Sequence, residues 1–185
     1  LVYFQNMDKS TISVEDTPDG SKHIEVFDAT VNDIWLFGHT TMTFHSGNAR
    51  VRARDNSVLT FSGGYSQHLE IMDRSHVFID GGEILYLTAF ESSEVHFYGY
   101  DFQILLYDET LSGTVGPTDG IVTGFWQDGT AFLIEIGNFP PRESFPMENP
   151  ISFDHFTFHE IPEPGGLLLL GCGGLFLLRQ KGSGS

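Results

Sequence analysis

Through the middle of the chain apolar and polar positions alternate, and the alternation restarts at a fixed interval. The stretches "DNSVLTFSGG" at 55, "DRSHVFIDGG" at 73 and "ESSEVHFYGY" at 91 each begin 18 residues after the one before. An acidic residue leads (Asp55, Asp73, Glu91) and a serine follows two later (Ser57, Ser75, Ser93). Alternating apolar positions then run to a glycine (Gly63, Gly81, Gly99). Ahead of each copy lies a second pair, Val51 and Ala53, Leu69 and Ile71, Leu87 and Ala89, which Leu105 and Tyr107 continue. A looser copy with Ile34, Leu36, Met42 and Phe44 precedes them at a spacing of 17. Several columns hold register together, which marks a stacked repeat.

A period of two predicts strands. Strands that return without hairpin turns must stack in parallel, about 4.8 Å apart. The expected fold is all-β, a short single-stranded parallel β-helix (β-solenoid) of about five coils over residues 23–116. A right-handed coil is favoured, because the hexapeptide pattern of left-handed coils is absent. The inward ladders are Leu59, Val77 and Val95 beside Phe61, Ile79 and Phe97, with Val51, Leu69, Leu87 and Leu105 across the core. At the corners, Asp and Ser side chains are expected to bond amides two residues on, and the glycines to supply positive φ. The glycine pairs before aspartate that mark nonapeptide calcium solenoids are missing, so the stacked acids read as corner residues.

The same alternation sorts two outward faces. One is polar, with Thr41, Thr43, His45, Val58, Thr60, Ser62, His76, Asp80, Glu94 and His96. The other carries Trp35, Phe37, Tyr86, Phe90, Ile104 and Leu106 among Arg50, Arg52, Arg54, His68 and Glu70. So large an apolar patch is expected to be covered, by the chain after 117 or by a second copy. Arg52 is expected to pair with Glu70 one coil on.

An open coil end presents unpaired backbone. Residues 121–136 suit a cap, since "QDG" between alternating runs signals a tight hairpin. "ISFDHFTFHEI" at 151–161 then returns as one more strand. The expected organisation is a solenoid with its N-terminal cap at 8–116, capping strands at 117–160 and a tail at 161–181. "LVYFQNM" resembles the remnant of an engineered protease site and "GSGS" a linker. Residues 1–7 and 182–185 are therefore expected to stand outside the fold, and a signal peptide could have been lost with the start.

Nine basic against 25 acidic residues give a formal charge of −16, which argues against a nucleic-acid partner. A single cysteine, Cys172, excludes an internal disulfide framework and a cysteine-based zinc cluster. His155 and His159, four apart on a strand, would lie about 13 Å apart, too far for one ion. The other histidines read as ordinary polar surface. No metal, cofactor or catalytic constellation is expected.

The tail "IPEPGGLLLLGCGGLFLLRQK" resembles the PEP-CTERM sorting signal: Pro-Glu-Pro, an apolar run, then basic residues. In that bacterial family an exosortase, a membrane protease-transpeptidase, recognises the segment and releases the protein to the surface or to extracellular polymeric material. The resemblance makes Pro162, Glu163 and Pro164 the recognition motif. It makes Leu167, Leu168, Leu169, Leu170, Leu175, Phe176, Leu177, Leu178, Arg179 and Lys181 the anchor. Two prolines hold the motif extended, as a protease cleft requires. The apolar run from Gly165 to Leu178 is shorter than the roughly 20 residues of a spanning helix. An apolar terminal element packed on the solenoid is the alternative.

Body and tail together imply a non-enzymatic exported protein of the cell surface or extracellular matrix, transiently anchored in the inner membrane. Its partners would be an exosortase-like protease, exopolysaccharide or its own copies. A polysaccharide-binding module using Trp35, Arg52 or Trp126, or a lyase-like β-helix enzyme, is the alternative. The long side loops that build a lyase cleft are missing.

Overall fold

The computed structural model describes residues 2–5, 8–16, 22–106, 120–137 and 153–163. It is a β-solenoid of about five turns with roughly 18-residue spacing. The strands are β1 (Val2–Gln5), β2 (Asp8–Val14), β3 (His23–Phe27), β4 (Ala29–Leu36), β5 (Thr41–Phe44) and β6 (Gly47–Ala53). They continue with β7 (Val58–Ile71), β8 (His76–Ala89), β9 (Glu94–Leu106), β10 (Gly120–Phe125), β11 (Ala131–Ile136) and β12 (Phe156–Glu160).

Two walls face each other across the core. The first stacks β1, β3, β5 and the leading halves of β7, β8 and β9, with β12 last, all parallel. The second stacks β2, β4, β6 and the trailing halves of β7 and β8. The in-register ladder Met42–Leu59–Val77–Val95 has every member at 2% exposure or less. Beside it runs Phe44–Phe61–Ile79–Phe97, where the first two rings stack at 5.2 Å. Each such side chain removed from water contributes roughly 1.5–3 kcal/mol. The core is therefore a set of continuous columns, and each coil is stabilised mainly by its neighbours.

The corners work differently from the expectation. Asp55, Asp73 and Glu91 have φ of 59°, 59° and 62°. The carboxylates of Asp55 and Asp73 reach back one coil: Asp55 Oδ2 accepts from Gly38 N at 2.8 Å, and Asp73 Oδ2 from Asp55 N at 2.9 Å. Stacking brings a neighbouring coil's amide within reach of each carboxylate. The serines accept no amide proton; Ser75 Oγ donates to Met72 O at 2.6 Å and Ser93 Oγ to Phe90 O at 2.7 Å. Nor is positive φ carried by Gly63, Gly81 and Gly99; it falls on the next residues, Gly64 and Gly82. At Gly63 and Gly81 a Cβ would lie 2.2 Å from His45 O and 2.4 Å from Ser62 O, so those glycines permit close approach of backbones.

The last coil departs from the ladder. Leu105, expected inside, is 63% exposed. The copy at 91 has Tyr100 where its predecessors have Gly64 and Gly82, and positive φ falls on Asp101 instead. The trailing half of β9 therefore leaves the wall and pairs antiparallel with β10. Strand β11 takes its place on β8, setting Ile136 beside Leu87. Tyr107 lies outside the described residues. The tight turn at Gln127–Gly129 joins β10 and β11 as an antiparallel hairpin, as expected, with Trp126 N donating to Thr130 O at 2.9 Å. The returning strand also forms, beginning at Phe156 after a 3-10 turn at Phe153–His155.

Residues 2–5 do not stand outside the fold. They form β1, whose Val2 and Phe4 stand beside Ile24 and Val26. Their apolar alternation suffices for one more rung.

Candidate functional site

On the outer side of the second wall, Trp35, Arg52, Glu70 and Thr88 form one in-register row. Arg52 donates from Nε to Glu70 Oε2 at 2.8 Å, the expected pair, and from Nη1 to Asp33 Oδ1 at 3.2 Å. Its guanidinium lies 4.3 Å from the centre of the Trp35 ring, with that of Arg54 at 5.1 Å. Trp35 and Phe37 stack at 6.0 Å. Of the described chain after 117, Gly137 meets the end of this row, its O accepting from Thr88 Oγ1 at 2.8 Å, while β10 and β11 add to the stack through β9 and β8.

Of the three residues expected to touch a glycan, Trp35 and Arg52 meet on this face, and Trp126 lies apart at the hairpin. Trp35 is half-buried, and Arg52 is 8% exposed with two carboxylates already bound. Trp126, 2% exposed, stacks on Phe132 at 3.9 Å and donates from Nε1 to Gly82 O at 2.9 Å. It is a structural plug where the hairpin meets the glycine corners, and no ring face is left for a sugar.

Around that plug opens a groove of about 880 Å³ between the corners at Ser62–Gly64 and Asp80–Ile84 and the hairpin. Asp80, Glu83 and Asp128 line it. Its walls strip hydration from Asp80 and push that carboxyl up, although the residue stays exposed. Hydrogen bonds at Thr130, first from its backbone N–H, hold Asp128 low.

The polar face of the first wall departs most from the sequence reading. Its histidines are gathered rather than scattered. At one end Glu25 bridges His23 Nε2 at 2.6 Å and His45 Nε2 at 2.5 Å. These bonds, with His23 the larger effect, hold the Glu25 carboxyl below its usual value. At the other end stand His76, Glu94 and His96, with His159 of β12 packed on His96. His155, in the 3-10 turn, bonds Ser93 O at 2.8 Å and takes no part. The signal was readable in retrospect: Glu94 and His96 share a strand face, and His76 precedes Glu94 by one 18-residue period.

Pro162 and Glu163 are exposed just beyond β12, where Ile161 N still donates to Gly99 O at 2.7 Å. Pro164 and the anchor residues lie outside the described residues. Among the described residues no helix is long and apolar enough to cross a membrane. Compared with known proteins, the chain matches no family model, no curated protein and no solved structure.

Proposed function

We propose that this chain is a non-enzymatic surface or extracellular-matrix protein, a rigid β-solenoid exported and sorted through Pro162, Glu163 and Pro164. The observation that carries the reading is the exposure of Pro162 and Glu163 directly after the last stacked strand. A motif in that position is accessible to a membrane protease while the body stays folded. The body supports the reading through its use of carboxylates: Asp55 and Asp73 hold amides, while Asp33 and Glu70 hold Arg52. In this reading the solenoid acts through shape, with an exosortase-like protease, exopolysaccharide or further copies as partners.

Co-expression of the untagged chain with an exosortase, followed by mass measurement of the secreted form, tests it. The expected product lacks the mass that follows the Pro-Glu-Pro segment. A secreted protein with its tail intact contradicts the proposal.

The acid-lined groove favours a second reading, polysaccharide binding. Under it, Asp128→Ala weakens binding on a glycan array, and Trp35→Ala leaves it unchanged.

A further inference from the structure

We propose that His76, Glu94 and His96 bind one divalent transition-metal ion of the zinc class, with His159 as a positioning residue. Stacking alone assembles the site. His76 and Glu94 are in-register neighbours on β8 and β9, and His96 lies two residues further along the same face. Glu94 Oε2 is 3.3 Å from His76 Nδ1 and 3.5 Å from His96 Nε2. One ligand atom from each of the three lies within 4.8 Å of the others.

The two distances from Glu94 Oε2 are those of neighbouring ligands rather than of hydrogen-bond partners. Zinc sits about 2.0–2.2 Å from nitrogen and oxygen ligands, so a tetrahedral site sets its ligand atoms roughly 3.3 Å apart. A charge-assisted hydrogen bond is shorter, about 2.7–2.9 Å. The Glu25 cluster, at 2.6 and 2.5 Å, is closed by such bonds. Its two imidazoles also take different carboxylate oxygens, whereas His76 and His96 both approach Oε2 of Glu94.

The remaining ring nitrogen of His96 also has a partner. His96 Nδ1 lies 3.1 Å from His159 Nε2. With the proton on Nδ1, donated to His159, the Nε2 lone pair of His96 faces Glu94. In metal sites an acceptor for the ligand's far ring N–H fixes its tautomer and ring orientation. Packing fixes the rings further: Phe78 stacks on His96 at 5.1 Å, and Tyr98 on His159 at 4.5 Å. Two imidazoles and one carboxylate suit zinc, copper or nickel and disfavour calcium and magnesium, which take oxygen ligands. The side chains of His76 and Glu94 are 42% and 57% exposed, so a fourth position opens to solvent. A bound ion would clip β8 to β9 and, through His159, favour β12 in its seat at the end of the stack.

The test is calorimetric titration of the full chain with zinc chloride, with circular dichroism of each metal-free variant as the check on folding. Wild type is expected to take up one ion. Glu94→Gln and His76→Gln, both at exposed positions, should each weaken binding at least about tenfold. His159→Ala should weaken it about 10–100-fold, and His159→Gln, whose amide oxygen accepts the same N–H, should recover most of the loss. His45→Gln, in the other cluster, should leave it unchanged. Cobalt(II) in place of zinc should give the visible absorption of a tetrahedral ion in wild type but not in Glu94→Gln. Absence of stoichiometric uptake overturns the proposal, as does uptake unaffected by Glu94→Gln and His76→Gln or abolished by His45→Gln.

Discussion

Asp73 combines a left-handed backbone, φ 59°, with a side chain that accepts the N–H of Asp55 one coil earlier. Both properties are open to asparagine and closed to a β-branched residue. Asp73→Asn is therefore expected to change stability by less than about 0.5 kcal/mol. Asp73→Val should cost about 2–3 kcal/mol through backbone strain and the lost bond, read from the urea midpoint. Glu25 supplies a pH signature. Its folded pKa is lowered by His23 and His45, so its contribution is present above the usual 4.5 and lost as pH falls through the lowered value. Glu25→Gln should lower stability at neutral pH, and the gap to wild type should narrow as denaturation is repeated at increasingly acid pH. Glu91 has the opposite sign. A hydrogen bond to Asp73 raises its carboxyl, so that contribution is greatest in acid and fades as pH rises through the raised value.

At the scale of elements, the exchange of β9 for β11 separates what the repeat predicts from what the chain does. The repeat puts Leu105 in the core; the structure puts Ile136 there at 1% exposure and leaves Leu105 outside. Ile136→Ala should cost about 2–5 kcal/mol, and Leu105→Ala less than about 0.5, in the same urea titration. The ladders from Met42 to Val95 and from Phe44 to Phe97 were legible because alternation and an 18-residue period each fix one coordinate of a stacked strand. The exchange was not, because the apolar pattern continues unchanged past Tyr100, the one break in the glycine column. Strand β1 was missed for another reason: its sequence resembles a cloning remnant, yet Val2 and Phe4 extend the first wall by one rung beside Ile24 and Val26.

Across the whole molecule, hydrogen bonds run coil to coil even through the turns, as from Arg74 N to Asp55 O at 2.8 Å and Ser92 N to Asp73 O at 2.9 Å. The histidine site at one end of the polar face depends on the same stacking. Its members are separated in sequence by the coil period and by the long return to β12, so residue-by-residue reading leaves them apart. The most direct measurement of the stacking is cysteine cross-linking on the outer face, with Cys172→Ser throughout. Thr43 and Thr60 are in-register neighbours on β5 and β7, while Phe78 lies one coil beyond Thr60. Parallel rungs about 4.8 Å apart are within disulfide reach, and rungs twice as far are not. Thr43→Cys with Thr60→Cys should therefore oxidise to an intramolecular disulfide, and Thr43→Cys with Phe78→Cys should stay reduced. Failure of the first pair to close while the chain is folded, or closure of the second, would contradict the parallel stack.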